Sequence, residues 1–392
     1  MAGMAGMNKH TSLWRRPRLS PILTAAVAAV LGGCSLFHRE TAALPPTPPQ
    51  AAIAQAPSAS ATPLAPAVSP ALPAPTPAAT TPQPAPFAIT LGPDDNLWFT
   101  EFEINRIGRI TPAGQLTRFE LKAGGFPERL TAGPGNTIWF TDPAGNRIGR
   151  LELGGASAYV PLPTADSGPA AITLGPDGNL WFTEHAASRI GKITPLGSIT
   201  EFVLPHGGDP AGITTGPDNN LYFAENRANR IDRMSLEGRV DEFTLPTPHS
   251  MPNGIVKGSD GNLWFTEIAS QKVGRLTPAG DMTEYTLPVA GAPFGITDGP
   301  DHHIWVTVPT AHALCRIRSD GYAMAFYLPS TVTPSFIAAG PDGNLWFTEP
   351  AGKIGRFTPS GRLAEFSSTP QAEAAAASDE PAANRRLLFV PP

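Results

Sequence analysis

The stretch PDGNLWFTE occurs at residues 176–184 and again at residues 341–349, and five other segments are edited copies of it. The copies are PDDNLWFTE (93–101), PGNTIWFTD (134–142), PDNNLYFAE (217–225), SDGNLWFTE (259–267) and PDHHIWVTV (300–308). Successive aromatic residues at the position of Trp181 are 41 or 42 residues apart. A period of about 40 to 45 residues with strand-like segments is typical of a β-propeller, in which each repeat forms one blade.

Each repeat contains four short β-type segments, here named strands A to D. In the third repeat they are AAITLG, NLWFTE, SRIGKIT and SITEFVL, with the turn sequences PDGN before strand B and TPLG before strand D. Consecutive apolar residues in LWFT indicate a strand that is covered on both faces, as stacked blades would cover it. The sequence therefore predicts an all-β fold, a seven-bladed β-propeller with four-stranded blades over residues 87–366. Every blade is complete within its own repeat, so we expect ring closure to rest on side-chain packing between the first and seventh blades.

Residues 1–34 have the pattern of a bacterial lipoprotein signal. A basic segment precedes the apolar run ILTAAVAAVL (22–31), which ends in LGGC at Cys34 and is too short for a comfortable transmembrane helix. The pattern resembles a lipobox, in which the cysteine is acylated; a plain signal peptide or a short anchor is the alternative. Because Ser35 follows Cys34, resemblance to known sorting patterns favours a lipid-anchored protein of the bacterial cell envelope, on the periplasmic face of the outer membrane.

Two further segments lack the composition of a packed domain. Within the predicted linker, 35–86, residues 42–86 contain 14 prolines and no charged residue. Such a chain cannot bury a core and favours extended polyproline II, so we expect a disordered stalk. The Ala-, Ser- and Glu-rich residues 367–392 are predicted to form a disordered tail.

The overall composition excludes some classes of partner. Charged residues make up 16% of the chain, the formal net charge is −5, and no basic block is present, which argues against nucleic-acid binding. Two cysteines are too few for a disulfide framework. We expect a monomer whose partners are the membrane, through Cys34, and an extracytoplasmic ligand or protein of unknown identity.

The predicted topology points to one candidate binding site. Strand A lines the central channel, and the D–A and B–C connections lie on one face of the disc, here called the top face. The residue after the proline of each strand A, 11 residues before the repeat's aromatic, is expected to ring the channel mouth. The seven occupants are Phe87, Glu128, Ala170, Ala211, Asn253, Phe294 and Ser335. Because they differ within a repeated frame, Phe87, Glu128, Asn253, Phe294 and Ser335 are candidate ligand-binding residues; the alternative is a filler position that is free to drift.

A second ring of similar residues ends strand B. Its members are Glu101, Asp142, Glu184, Glu225, Glu267, Val308 and Glu349, and a basic residue follows in every copy except the sixth: Arg106, Arg147, Arg189, Arg230, Lys272 and Lys353. The sixth repeat has Val308 and Ala313 at the two places, so the acid and the base are lost together. This pattern predicts an ion pair that clamps the B–C loop. A ring of carboxylates around a cation is the alternative.

Four histidines are placed on the top face by this topology. His185 and His312 lie in B–C loops, and His206 and His249 lie in D–A loops. Histidine is the commonest general base in enzymes, so each is a candidate for chemistry as well as an ordinary surface residue.

The repeat P-x-G-I-T-x-G-P-D-G-N-L-W-F-T-E followed by N-R-I-G-R-I-T-P-x-G-x-I-T-E-F-x-L-P resembles that of the streptogramin B lyase (virginiamycin B lyase) family. The resemblance covers all seven repeats, 87–366. It implies a seven-bladed propeller and enzymes that open the ester of cyclic depsipeptide antibiotics by elimination. It also implies a histidine base and Mg²⁺ at the top of the channel.

The family's catalytic positions carry other residues here. Ser335 stands where the family has its base, Phe294 where it has a second histidine, and Phe87 where it has a tyrosine. The family's metal-binding glutamate falls on Pro350, next to Glu349. A serine without an adjacent base cannot remove a carbon-bound proton at neutral pH.

Two functional hypotheses therefore stand side by side. The first is a binding module that uses the channel mouth. The second is a Mg²⁺-dependent carbon–oxygen lyase of the virginiamycin B lyase type with a rearranged site, in which His185 or His312 is the base and Glu128 or Glu349 holds the metal.

Overall fold

We describe a computed structural model of the chain over residues 85–122 and 124–368. The predicted lipoprotein signal with Cys34, nearly all of the predicted stalk and all but the first two residues of the predicted tail lie outside these residues. The described chain forms seven four-stranded antiparallel sheets, and each sheet is built from four consecutive strands. The prediction of a seven-bladed, all-β propeller is confirmed. Within the described residues, no helix has the length and hydropathy that a membrane span requires.

The strands are labelled in chain order, four to a blade. Blades one and two contain β1 (Ile89–Leu91), β2 (Leu97–Glu101), β3 (Arg106–Ile110), β4 (Leu116–Glu120), β5 (Leu130–Gly133), β6 (Thr137–Asp142), β7 (Arg147–Glu152) and β8 (Ser157–Pro161). Blades three and four contain β9 (Pro169–Leu174), β10 (Leu180–Glu184), β11 (Arg189–Ile193), β12 (Ile199–Val203), β13 (Pro210–Thr215), β14 (Leu221–Glu225), β15 (Arg230–Met234) and β16 (Val240–Thr244). Blade five contains β17 (Pro252–Lys257), β18 (Leu263–Glu267), β19 (Lys272–Leu276) and β20 (Met282–Thr286). Blades six and seven contain β21 (Ile296–Asp298), β22 (Ile304–Val308), β23 (Ala313–Ile317), β24 (Ala323–Tyr327), β25 (Ile337–Ala339), β26 (Leu345–Glu349), β27 (Lys353–Phe357) and β28 (Leu363–Ser367). Two short 3₁₀ helices, Phe102–Ile104 and Pro309–Ala311, occupy B–C loops.

The repeated PDGNLW segment is a self-bonded turn that leads into a buried strand. The indole Nε1 of Trp98 donates to Asp94 Oδ1 at 2.8 Å, and that of Trp346 donates to Asp342 Oδ1 at 3.1 Å. The amide of Asn344 donates to the other oxygen of Asp342 at 2.7 Å. A buried indole N–H needs an acceptor, and the turn supplies it. The acid and the asparagine are therefore copied for structural reasons.

A close approach explains the repeated glycine of strand C. Phe99 of β2 is paired in register with Gly108 of β3, and a methyl group on Gly108 would lie 2.1 Å from the Phe99 ring. The sixth blade has Val306 and Cys315 at the two paired positions. In blade six a smaller residue on strand B thus accompanies a larger one on strand C, which keeps the core volume nearly constant, whereas blade four pairs Phe223 with Asp232.

The blades are joined around the channel by their inner strands, each of which contacts the inner strands of both neighbours. The ring closes between blades one and seven as predicted, since Trp346 and Ile354 pack in one cluster with Leu97. Hydrogen bonds add to this packing: Thr348 Oγ1 donates to Phe87 O at 2.6 Å, and Arg356 Nη1 donates to Pro112 O at 2.8 Å. Closure therefore uses side chains and no shared strand.

Candidate functional site

The channel mouth is held rigid by the threonine of strand B. Each such threonine donates its hydroxyl to the backbone carbonyl at the mouth position of the next blade, as in Thr100 Oγ1 to Glu128 O (2.9 Å) and Thr183 Oγ1 to Ala211 O (2.8 Å). Blade four has Ala224 at this place, and there Asn226 Nδ2 donates to Pro252 O at 3.3 Å. The threonine of LWFT thus links neighbouring blades. This role was not predicted from the sequence.

One half of the mouth, formed by blades six, seven and one, is filled by aromatic rings. Phe336 lies between Phe87 and Phe294, with ring centroids 4.8 Å from each. Phe294 and Ser335 are buried, whereas Phe87 keeps part of its surface. We call Phe87, Phe294, Ser335 and Phe336 the closed half. Two of the five predicted ligand-binding residues are therefore beneath the surface in this structure.

The other half of the mouth, formed by blades two to five, remains accessible. Its mouth residues, Glu128, Ala170, Ala211 and Asn253, are all partly exposed, and we call them the open half. The residue after each of the last three is also small: Ala171, Gly212 and Gly254. The two glycines allow close packing of neighbouring blades, because a methyl group on Gly212 would lie 2.4 Å from Asn253 O. The mouth is therefore asymmetric, with aromatic rings on one side and small, partly exposed mouth residues on the other, and we call this accessible side the recess.

Two charged side chains border the recess without partners. Neither the Glu128 carboxylate nor the Arg129 guanidinium forms a hydrogen bond or ion pair with residues 85–122 or 124–368. Desolvation raises the pKa of Glu128 to about 7, and the positive charge of Arg129 offsets part of that rise. Desolvation also lowers the pKa of Arg129 to about 10, against the opposing effect of Glu128. At neutral pH the arginine is positive, and the glutamate is poised near its midpoint.

Arg129 and Phe336 were not among the predicted site residues. Both occupy the second position after the proline of strand A, which in the other five blades holds Ala88, Ala171, Gly212, Gly254 and Gly295. The guanidinium carbon of Arg129 stands 3.8 Å from the ring centroid of Phe336. The sequence signal that could have identified them is that this position holds a large residue in two blades and alanine or glycine in the other five.

An outer ring above the mouth is formed by the residue that follows the strand-B acid. In blade one this residue is Phe102, whose ring lies 5.3 Å from that of Phe87. In blade five it is Ile268, which packs in the cluster that contains Phe294. His185 occupies this place in blade three, beside the open half.

His185, one of the two predicted catalytic histidines, packs against the segment that leads into the mouth residue of blade three. Its ring packs on Gly168, two residues before Ala170, since a methyl group on that glycine would lie 3.0 Å from the imidazole. Burial lowers the pKa of His185, and the carboxylate of Asp209 offsets part of the shift. The imidazole is therefore neutral at pH 7 and can accept a proton.

The other top-face histidines have structural partners or lie outside the recess. His312 Nδ1 donates to Val332 O at 2.8 Å and caps the 3₁₀ helix Pro309–Ala311. His206 Nδ1 lies 2.7 Å from Glu242 Oε1. His249 is an exposed loop residue with φ of 57°.

The predicted ion pairs at the end of strand B occur in three blades. All six acids are fully buried. Arg147 Nε lies 2.7 Å from Asp142, Arg106 Nε lies 3.8 Å from Glu101, and Arg230 pairs with Glu225. In these blades the acid and the base join the two ends of the B–C loop as expected, and in blades one and four the base also contacts a strand-D glutamate, Glu120 at 3.3 Å and Glu242 at 3.2 Å.

The same prediction is wrong for blades three, five and seven. There the base pairs with a glutamate of strand D: Arg189 with Glu201 (3.8 Å), Lys272 with Glu284 (2.8 Å) and Lys353 with Glu365 (2.8 Å). Strand D lies closer to solvent, so a charge pair there loses less hydration. In blades three and seven, burial and the strand-D glutamate raise the pKa of Glu184 and of Glu349 to about 7.

The residues present do not fit a magnesium site of the kind the family resemblance implies. Among residues 85–122 and 124–368, no group of three or more His, Cys, Asp or Glu side chains could hold a metal ion. Both oxygens of the candidate ligand Glu349 are buried without a hydrogen-bond partner. The other candidate, Glu128, is the sole carboxylate among the seven mouth residues. Mg²⁺ is usually held by one or two carboxylates together with water, and among the described mouth residues Glu128 has no second acidic or histidine side chain grouped with it.

The fold and the recess define the protein as a seven-bladed propeller with a one-sided opening at the top of its channel. The chain belongs to the virginiamycin B lyase family, whose model matches residues 75–208 and 205–384. This confirms the resemblance found in the repeat. Among curated proteins, no sequence matches the chain.

Solved structures of lyases are similar along most of their length. A streptogramin B lyase is 38% identical, with a TM-score of 0.68, over 73% of this chain and 95% of that one. Virginiamycin B lyase from Staphylococcus aureus is 37% identical, with a TM-score of 0.67, over 71% of this chain and 96% of that one. A catalytically inactive variant of that enzyme with quinupristin is 38% identical, with a TM-score of 0.67 and coverage of 71% and 96%. A hydrazine synthase from Kuenenia stuttgartiensis, at 14% identity and a TM-score of 0.59, shares the fold alone.

Proposed function

We propose that the chain is a ligand-binding propeller of the streptogramin lyase-like family and that its ligand enters the open half of the channel mouth. In this proposal a lipid anchor at Cys34 holds the propeller on the extracytoplasmic side of a bacterial membrane. The observation that carries the proposal is the asymmetry of the mouth. Large side chains close blades six, seven and one, whereas Ala170, Ala211 and Asn253 leave blades three to five accessible.

The chemistry of the recess suits a small molecule or the end of a peptide or glycan. Ala170 and Ala211 present a small apolar surface, and Glu128, Arg129 and Asn253 supply a few polar groups at its border. Binding sites commonly combine a mostly apolar surface with a few placed polar groups. The threonine links hold the mouth carbonyls, so the recess is formed before a ligand arrives and binding needs little ordering.

A blocking substitution tests the proposal. The purified propeller is screened by thermal shift against envelope-derived peptides, glycans and small metabolites, together with Ala211→Trp and a control, Ala113→Trp, in an exposed turn of the opposite face. We expect a ligand whose stabilising effect is lost in Ala211→Trp and kept in Ala113→Trp. A ligand that binds both variants equally, or no stabilising compound at all, argues against the open half as a binding site.

A lyase reaction with a rearranged site is the second candidate, and the position of His185 favours it. The neutral imidazole packs on Gly168, two residues before the mouth residue Ala170, and could remove a proton from a bound depsipeptide. The assay is incubation with a streptogramin B, with and without Mg²⁺, followed by detection of the ring-opened product. Product formation that disappears in His185→Ala and persists in His312→Ala would support this candidate, and the absence of product from the unaltered chain would exclude it.

A further inference from the structure

Arg129 differs from the other stacked arginines of the propeller in having a free edge. Its guanidinium carbon lies 3.8 Å from the Phe336 centroid and 6.0 Å from the Phe87 centroid. It has no hydrogen bond or ion pair with the rest of the described chain. The residue is partly exposed, and none of its side-chain nitrogens is among the fully buried atoms that lack a hydrogen-bond partner.

Stacking leaves the donor groups of an arginine unused. A guanidinium that lies on an aromatic ring uses its face, whereas its five N–H donors point outward in the plane. A carboxylate can accept two of these donors at once. The stack also fixes the orientation of the guanidinium before a ligand arrives, which lowers the entropy cost of binding.

The same molecule contains a complete example of this arrangement. The guanidinium carbon of Arg147 lies 3.9 Å from the Tyr159 centroid, and Arg147 Nε contacts Asp142 Oδ2 at 2.7 Å. Arg109 stands 5.6 Å from the Trp98 centroid and pairs with Asp94 at 3.2 Å. In both cases an aromatic ring contacts the face of the guanidinium, and a carboxylate contacts its edge. At Arg129 the aromatic ring of Phe336 is present, but no carboxylate of the described residues contacts the edge of the guanidinium.

We propose that Arg129 binds an anionic group of the ligand and that the ligand is a monocarboxylate with an apolar or aromatic portion. The inference rests on the proposed function, because it places the ligand in the same recess. One guanidinium beside Glu128 suits a single negative charge better than the double charge of a phosphate. The partly exposed ring of Phe87 and the alanines of the open half suit the apolar portion.

N-acetyl-L-phenylalanine is the probe, and its neutral amide is the matched control compound. Binding to the full chain is measured by ligand-observed NMR at pH 6 and low salt, for the unaltered chain, Arg129→Ala, Arg129→Lys and Arg150→Ala on the opposite face. We expect the acid to bind at least about tenfold more tightly than the amide, a factor that corresponds to about 1.4 kcal/mol. Arg129→Ala should remove this preference, Arg150→Ala should keep it, and Arg129→Lys should restore only part, since lysine lacks the planar fork.

The outcomes separate this inference from the proposed function. Equal binding of acid and amide, or a preference that survives Arg129→Ala in a chain with unchanged thermal unfolding, overturns the role of Arg129. If both compounds bind equally and Ala211→Trp removes both, the recess is a binding site and only the carboxylate inference fails. No binding of the acid to the unaltered chain also overturns the inference, whereas the wider ligand screen decides the proposed function.

Discussion

Thr348 Oγ1 of blade seven donates a hydrogen bond of 2.6 Å to the carbonyl oxygen of Phe87 in blade one, 261 residues earlier in the chain. The same hydroxyl accepts the backbone N–H of Phe336 at 3.1 Å. One side chain thus joins the two ends of the ring and supports the closed half of the channel mouth. The relationship also shows why the threonine of the repeated LWFT segment is copied in six of the seven blades.

We expect Thr348→Val to destabilise the propeller at its closure. The substitution keeps the shape but leaves the carbonyl of Phe87 and the N–H of Phe336 without this partner, which costs about 1–3 kcal/mol. The measurement is urea unfolding followed by tryptophan fluorescence. Thr283→Val, on an exposed outer strand, is the control and should change stability little. Equal effects of the two substitutions would mean that the Thr348 link does not stabilise the ring.

The pairing of Phe99 with Gly108 predicts a compensating double substitution. Gly108→Cys alone overpacks the core against the phenyl ring, and Phe99→Val alone leaves a cavity. Together they reproduce the Val306 and Cys315 pair of blade six. We expect the double variant to lose less free energy of unfolding than the two single variants lose together, with a difference of about 1–3 kcal/mol in a double-mutant cycle. Additive losses would contradict the volume exchange.

Glu349 should make the propeller less stable as the pH rises. Its pKa in the folded chain is raised to about 7 from the ordinary value of 4.5, mainly by burial and then by Glu365. Between these values the folded state binds more protons than the unfolded state, so stability is lost as the pH increases from about 4.5 to about 7. The full penalty is present above pH 7 and is on the order of 3 kcal/mol.

Glu349→Gln tests this sign. We expect the variant to gain stability relative to the unaltered chain at pH 8 and to show a smaller gain, or none, at pH 4.5, as measured by urea unfolding at both pH values. Glu237→Gln, in an exposed turn, is the control. A relative stability of Glu349→Gln that does not change with pH would show that the Glu349 carboxyl is not held in its protonated form.

The pH dependence of carboxylate binding follows from the neighbours of Arg129. Within the described residues, Glu128 and Arg129 are the charged groups that act on each other at the mouth. Ionisation of Glu128 near pH 7 adds a negative charge beside the proposed anion site, so binding of N-acetyl-L-phenylalanine should weaken between pH 6 and pH 8. Glu128→Gln should bind the probe as well at pH 8 as at pH 6. A pH profile that is the same in both chains would exclude Glu128 as its source.

The buried frame of this protein could be predicted almost completely from the sequence. The 41- or 42-residue spacing, the LWFT strand and the PDGN turn specify short-range structure, and each is repeated often enough to be recognised. The position of the mouth ring was also predictable, because it is a fixed register on strand A. The pairing of the strand-B acids was predicted correctly in only half of the six cases, because a glutamate on the neighbouring strand D competes for the base.

The repeat by itself determined the number of blades, the four strands of each and the ring of residues at the channel mouth, because periodicity and turn chemistry are local properties. Only the tertiary structure decided which half of the mouth is open. Phe336 packs between Phe87 and Phe294, and Arg129 stacks on Phe336, because closing the ring brings blades six, seven, one and two side by side. Contacts between residues more than 200 positions apart depend on that closure, and no single repeat contains them.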